Sequence, residues 1–219
     1  GSQDTDDLRH AEYPVYGRGF ASKHVEATQV SAGTPLKLRG LMVYQDDYVI
    51  ADNSGTVFVS AAHIEKVLET AESTNYQKTR RIPSFPDGNL PSKTLIEPSF
   101  DAMPTLQKDM AMDQKLVALF AGLDTPAVSD ALDKLGIPGQ VMDIMPLTNY
   151  EQVVVGPAFT VRYVPATTSG AYKGVGDWID NVAQGDVILI DNGGRKDCTI
   201  WGDIMTQYAS IRGIAGTVI

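Results

Sequence analysis

Apolar residues follow strand spacing and then helix spacing in the first third of the chain. Three short apolar runs predict strands, at residues 40–43, 48–51 and 56–59. The turn signal Asn53-Ser54-Gly55 separates the second run from the third. A helix over 60–72 should follow, capped by Ser60, because its apolar residues recur about one turn apart and form one stripe. These residues are Ile64, Val67, Leu68 and Ala71.

The second half of the chain also alternates helices with strands. A helix is predicted by Thr125 as its N-cap, Pro126 in its first turn and Gly136 after its last turn. A helix near Asp203 should lead into the apolar strand that reaches Ile219. Three more apolar runs predict strands, and Gly156-Pro157 interrupts the first two as it would in a bulged or bent strand. The runs are 153–155, 158–163 and 187–190, and residues 113–120 have a helical pattern.

This alternation places the chain in the α/β class, or in the α+β class with a mixed sheet. Between the two halves the pattern disappears, and five prolines occur between residues 83 and 104 together with Gly88 and several serines. Such a composition is typical of a linker or of an extension on the surface. We therefore divide the chain into residues 1–72, a Pro-rich linker or extension over 73–104, and residues 105–219.

Charge and cysteine content narrow the classes of function. The formal net charge is −9, with 18 basic and 27 acidic residues, which argues against nucleic acid as the main ligand. The single Cys198 excludes an internal disulfide. We find no signal peptide and no apolar run long enough to cross a membrane, so we expect a cytoplasmic protein without a membrane partner.

The candidate ligand-binding residues follow the strand predicted over residues 187–190. The loop 191–195 follows the carboxyl end of that strand, where ligand sites of such sheets usually lie, and leads toward the helix at Gly202. Free amides at Gly202, Asp203, Ile204 and Met205 could bind a substrate carboxylate. Equally, Asp203 could do no more than complement the helix dipole. Arg195 could assist substrate binding or be a surface charge on a turn.

Several motifs resemble the RraA-like family, which includes the class II 4-hydroxy-4-methyl-2-oxoglutarate aldolases. The motifs are Gly185-Asp186-Val187-Ile188-Leu189-Ile190-Asp191, Trp201-Gly202-Asp203-Ile204-Met205 and Arg212-Gly213-Ile214-Ala215-Gly216-Thr217-Val218-Ile219. Residues 105–219 resemble the family's N-terminal half and residues 1–72 its C-terminal half. The resemblance therefore implies one domain in circularly permuted order, a layered α/β/β sandwich of the swivelling-domain-like type, with 73–104 bridging the usual termini.

The resemblance also implies a set of site residues. Family members carry an Asp, an interval of twenty residues and then Arg-Asp, and a circular reading places Asp203, Gln3 and Asp4 at these positions. Asp4 would then hold Mg²⁺ or Mn²⁺, and Asp203 would reach the ion through water. The amides of 202–205 would bind the pyruvyl carboxylate. Gln3 stands where the family has Arg, and a neutral amide does not replace a guanidinium that binds carboxylates with two parallel hydrogen bonds.

The function implied is that of a divalent-metal-dependent lyase. It would cleave 4-hydroxy-2-oxo acids of the 4-hydroxy-4-methyl-2-oxoglutarate type to pyruvate, with oxaloacetate decarboxylase activity at the same site. Gln3 leads us to expect impaired activity. The resemblance further implies a homotrimer or homohexamer. The alternative is a non-catalytic binding or regulatory protein of the ribonuclease-inhibitor type, because the family's namesake members bind and inhibit a ribonuclease.

Overall fold

The computed structural model describes residues 12–20, 27–81, 114–148, 151–165, 176–195 and 199–219. Its strands are β1 (Val15–Gly17), β2 (Ala27–Ala32), β3 (Leu36–Leu38), β4 (Leu41–Val43), β5 (Tyr48–Asp52), β6 (Gly55–Val59), β7 (Gln140–Val141), β8 (Met145–Pro146), β9 (Val154–Pro165), β10 (Val187–Asp191) and β11 (Gly216–Val218). The helices are α1 (Ile64–Arg81), α2 (Thr125–Leu135) and α3 (Asp203–Ile211), and residues 114–120 are also helical. No helix among the described residues is long and apolar enough to cross a membrane.

Most of the strands form one mixed sheet. Their order is β7-β6-β5-β9-β10-β11-β1-β8, and β2 pairs with β9 outside this path. The pairs β9–β10, β10–β11 and β11–β1 are parallel, whereas β5 pairs antiparallel with both β6 and β9. The fold is therefore mixed α/β, as predicted.

Alternation along the strands divides the sheet into two faces with different partners. On β5, Tyr48 and Ile50 belong to a core cluster that includes residues of α1 and α2. On β10, Ile188 and Ile190 pack with Trp201 and with Ala209 of α3. The opposite faces of both strands share a third cluster, which includes Val49, Ala51, Val187 and Leu189. The two parts of the sheet thus enclose a common apolar interior and carry helices on their outer faces.

Strand β9 runs through Gly156-Pro157, where we predicted a bulged or bent strand, and its pairing with β5 shows no register shift there. Gly156 pairs with Val49 and Pro157 with Tyr48, both on β5. From Ala158 onward β9 also pairs with β10. A Cβ atom on Gly156 would lie 2.2 Å from the backbone oxygen of Gly185. Gly156, which we read as a sign of a bulge or bend, therefore permits a close approach between two backbone segments that a side chain would prevent.

Two helix boundaries differ from the prediction. Asp124, and not Thr125, caps α2, because its Oδ1 accepts a hydrogen bond of 2.8 Å from the Ala127 amide. The predicted stop at Gly136 is confirmed, with a left-handed φ of 65°. Helix α1 continues to Arg81, nine residues beyond the predicted 72, since residues 73–81 contain neither Pro nor Gly. Residues 82–113 lie outside the described residues, so the division at 73–104 stays a prediction.

Asp52 joins the two halves of the chain. Its buried carboxylate accepts hydrogen bonds from the Thr125 amide at 2.8 Å, the Thr125 hydroxyl at 2.6 Å and the Ser54 amide at 2.7 Å. The same side chain thus shapes the turn before β6 and satisfies an amide at the start of α2. Hydrogen bonds to a charged acceptor are stronger than neutral ones, so this contact fixes α2 against the sheet.

We expect Asp52→Ala to lower the free energy of unfolding by about 3 kcal/mol, because it leaves a buried amide and hydroxyl without their acceptor. Chemical denaturation of the two proteins measures the difference. Glu69→Ala, on the exposed side of α1, is the matched control and should change the free energy by less than about 0.5 kcal/mol. Equal stabilities of the Asp52→Ala and Glu69→Ala variants would contradict the proposed role.

Tyr13 makes a second contact between distant parts of the sequence. Its side chain is buried, and its hydroxyl lies 3.0 Å from Oγ1 of Thr217 on β11. Burial raises the pKa of Tyr13 well above its usual range, and the hydrogen bond to Thr217 opposes this only in part. The phenol therefore stays neutral in the folded protein at pH values where it ionises in the unfolded chain.

This difference in pKa predicts a loss of stability at alkaline pH. Above about pH 10 the unfolded chain releases the Tyr13 proton and the folded protein does not, so the free energy of unfolding falls by up to about 1.4 kcal/mol per pH unit from this group. Urea unfolding between about pH 8 and pH 11 should show a smaller fall in Tyr13→Phe. The control Tyr44→Phe, at an exposed side chain, should keep the original slope. Identical slopes in all three proteins would refute the prediction.

Candidate anion-binding site

A cavity of about 390 Å³ opens where the parallel strands β10, β11 and β1 end. Its apolar lining comes from the shared interior of the sheet, including Leu38, Val141, Ile144, Leu189 and Val218. Sites of open α/β sheets lie outside the carboxyl ends of the strands, and this cavity has that position. Its volume is in the range of pockets for small molecules, which extends from about 300 to 1,000 Å³.

The charged residues of the lining are mostly cations. Among the residues that the structure describes, four basic side chains contribute to the lining, and Asp191 is the acidic one. The basic residues are Arg18, Lys37, Arg39 and Arg195. The whole chain carries a net charge of −9, so this excess of positive charge is opposite to the overall balance. A small anion is therefore the ligand that the cavity fits best.

The loop after β10 forms one wall of the cavity through its own hydrogen bonds. The Asp191 carboxylate accepts from the Gly193 amide at 2.7 Å, and the Asn192 side-chain amide donates to the Arg195 carbonyl at 2.9 Å. Gly193 and Gly194 have φ values of 72° and 71°, a left-handed conformation that other residues rarely adopt. A Cβ on Gly194 would lie 3.7 Å from Nη1 of Arg18, so that guanidinium lies close to the turn.

The start of α3 is held by a second set of hydrogen bonds. The buried Trp201 indole donates to the Thr206 hydroxyl at 2.8 Å, and that hydroxyl donates to the Gly202 carbonyl at 2.8 Å. Because β10 and β11 are adjacent and parallel and α3 connects them, α3 begins at the sheet edge where the cavity opens. The Asp203 carboxylate accepts from the Ile204 amide at 2.7 Å, so this amide is already engaged.

The structure places the predicted site residues in three groups. Arg195 lines the cavity. Gly202, Asp203, Ile204 and Met205 start α3 at the same sheet edge but do not line the cavity. Of these four, Ile204 is 77% exposed, and Met205 packs against the core cluster beneath α3. Gln3 and Asp4 lie outside the described residues, so their roles stay predictions.

A metal ion would have few protein ligands among the described residues. No group of three or more His, Cys, Asp or Glu side chains that could hold a metal occurs in that part of the chain. Mg²⁺, however, commonly keeps several water molecules and is bound by one or two carboxylates. Among the described residues, Asp191 lines the cavity and Asp203 starts α3 at the same sheet edge, and carboxylates so few in number could serve only a largely hydrated ion.

Three of the four basic residues that line the cavity were not among the predicted site residues. Arg18 follows the short strand β1, and the sequence signal that could have identified it is its position directly after a buried strand. Lys37 and Arg39 belong to the hairpin of β3 and β4, whose residues 36–38 were not predicted as a strand. Only the folded chain brings this hairpin to the cavity, about 150 residues from β10 in sequence.

Fold and cavity together define a mixed α/β domain with a cavity suited to a small anion at the carboxyl ends of parallel strands. The RraA-like family model, described as Aldolase/RraA, matches residues 1–58 and 125–219. These two segments cover more than half of the chain, which therefore belongs to the RraA-like family. A match in two separated segments is consistent with the permuted order that the motifs predicted.

One relative is similar over part of its length. Protein DlpA of Legionella pneumophila is 38% identical over 130 residues, which are 59% of this chain and 19% of DlpA. The chain thus spans about a fifth of the length of this relative. No solved structure matches the chain.

Proposed function

We propose that this chain is a divalent-metal-dependent carbon–carbon lyase for 4-hydroxy-2-oxo acids of the 4-hydroxy-4-methyl-2-oxoglutarate type. The observation that supports this most is the cavity with four basic residues at the carboxyl ends of β10, β11 and β1 in an acidic chain. Membership of the Aldolase/RraA family makes aldol cleavage the chemistry to test first. Oxaloacetate decarboxylation is proposed as a side activity, because both reactions pass through the enolate of pyruvate.

The reaction needs positive charge at two stages, when the substrate carboxylate binds and when cleavage forms the enolate. The C4 hydroxyl loses its proton and the bond between C3 and C4 breaks, so that C4 becomes a ketone carbon. The electron pair of that bond remains on the fragment with the 2-oxo acid as an enolate. This enolate is then protonated at C3. We propose that Arg18 and Arg195, which line the cavity, neutralise a substrate carboxylate at the strand ends. A bound Mg²⁺ or Mn²⁺ would supply Lewis-acid stabilisation of the enolate charge. We propose Asp4 as the residue that would hold the ion and Asp203 as one that would reach it through water.

We expect purified protein to release pyruvate from 4-hydroxy-4-methyl-2-oxoglutarate and from oxaloacetate with Mg²⁺, above the rate of the metal alone, and not with excess chelator. Asp203→Asn should lower this release about 10- to 100-fold, the usual effect of losing a group beyond the metal's direct ligands. The side-chain oxygen of the new Asn can still accept the hydrogen bond from the Ile204 amide, so folding should be preserved. Asp133→Asn, on the exposed side of α2, is the matched control. No release from a folded protein would refute the lyase proposal.

Gln3 offers a test by gain of activity. We expect Gln3→Arg to raise the rate of pyruvate release about 100-fold, because one electrostatic donor to a developing oxyanion contributes on the order of 100- to 1,000-fold. Gln3→Lys restores the charge without the planar fork and should recover less. Steady-state kinetics of the unmodified protein and the two variants measure the effect. Equal rates for all three proteins would show that this position does not touch the reacting atoms.

A non-catalytic binding protein of the ribonuclease-inhibitor type is the second candidate. It is favoured by Gln3 and by an apolar stripe on the outer side of α3, where Ile204 and Ile211 are 77% and 84% exposed and Tyr208 lies between them. Contiguous apolar patches of this kind often mark protein interfaces. The same stripe would also suit the homotrimer or homohexamer proposed for the chain. Capture of a ribonuclease by a protein that releases no pyruvate would favour this candidate.

A further inference from the structure

The hairpin of β3 and β4 is a separate element beside the cavity. Its two strands pair with each other in a two-stranded sheet, apart from the main sheet of the described residues. Arg39 and Gly40 form the turn with φ values of 47° and 97°, the left-handed pair that a two-residue hairpin needs. Leu36 and Val43 are buried in the shared interior, so one face of the hairpin is anchored there.

Both ends of the hairpin are fixed to β9. Before β3, the Thr34 carbonyl accepts a hydrogen bond of 2.8 Å from the Thr160 hydroxyl. After β4, the Asp46 amide donates to the Ala158 carbonyl at 3.0 Å. The hairpin therefore has a defined position relative to the parallel strands whose ends form the cavity.

The tip of the hairpin is also held across the cavity. Arg39 forms an ion pair of 2.9 Å with Asp143, in the turn between β7 and β8. Val141 and Ile144, on either side of Asp143, line the cavity together with Lys37, Leu38 and Arg39. An exposed ion pair contributes little stability, but this one joins two walls of the same cavity. Hence the hairpin closes one side of the site.

Lys37 is the hairpin cation that is available to a ligand. It lines the cavity and is exposed, on the side of β3 opposite to the buried Leu36. Within the part of the chain that the structure describes, Lys37 makes no ion pair, whereas Arg39 is engaged by Asp143. The cavity thus has two cationic groups on different elements: Arg18 and Arg195 at the strand ends, and the hairpin with Lys37.

From this arrangement we infer that Lys37, supported by Arg39, binds a second carboxylate at the end of the substrate remote from its 2-oxo acid group. The inference rests on the proposed function, because that function puts the first carboxylate at the strand ends. Lys37 is then a residue that determines specificity: it favours 2-oxo acids with a distal carboxylate over neutral acids of the same length.

Binding of two unreactive ligands tests this directly. 2-Oxoglutarate and 2-oxopentanoate have the same chain length, and only the former carries a distal carboxylate. Calorimetric titration with Mg²⁺ present should give at least tenfold tighter binding of 2-oxoglutarate to the unmodified protein. Lys37→Met removes the charge and keeps most of the apolar stem. It should therefore lower the preference for 2-oxoglutarate about tenfold and leave the affinity for 2-oxopentanoate unchanged. Arg39→Met should reduce the preference by a smaller factor.

The control and the contrary outcomes are distinct. Lys66→Met, on the exposed side of α1, should leave both affinities unchanged. Equal binding of the two acids by the unmodified protein, or equal weakening of both by Lys37→Met, would overturn the inference. The unmodified protein could prefer 2-oxoglutarate, and lose this preference in Lys37→Met, without releasing any pyruvate. That result would support the role of Lys37 and refute the lyase. Pyruvate release with an unchanged preference would refute the role of Lys37 alone.

Discussion

Strand β9 pairs with different partners along its length, and the rest of the fold depends on this double pairing. Its first residues bind β5, which carries α1 and α2 on its outer face, and its later residues bind β10, whose carboxyl end forms the cavity. This double pairing is possible because Gly156 has no side chain, so the backbone at Gly185 can approach it closely. A larger residue at this position would require the backbone at Gly156 or at Gly185 to shift.

The cavity combines an apolar lining with cations at its rim in a chain of net charge −9. Long-range attraction does not bring an anion to such a protein, because its overall field is repulsive. Close to the site, however, the apolar lining lowers the effective dielectric constant and strengthens each ion pair. Selection of an anion therefore depends on contacts at short range, and added salt should affect binding less than it would in a protein with a basic surface.

Local signals in the sequence predicted the helices and strands better than the contacts between them. Gly136 ends α2 as predicted because a left-handed glycine after an apolar helix is a local feature, and the same holds for the strand over 187–190. No bulge occurs at Gly156-Pro157 in the pairing with β5, and Gly156 instead makes a contact with Gly185 that the local pattern does not encode. Lys37 and Arg39 could not be found for a related reason: their place beside β10 results from tertiary packing.

The hairpin of β3 and β4 has a consequence for which parts of the cavity can tolerate substitution. Its two strands pair with each other, and the side chains that reach the shared interior are Leu36 and Val43, with Leu38 and Leu41 packed against it. Exchanges at its other positions leave the ladder of the main sheet intact. The residues of this short segment that line the cavity can therefore change while the parallel strands keep their pairing, so that one wall of the cavity can be altered without altering the fold.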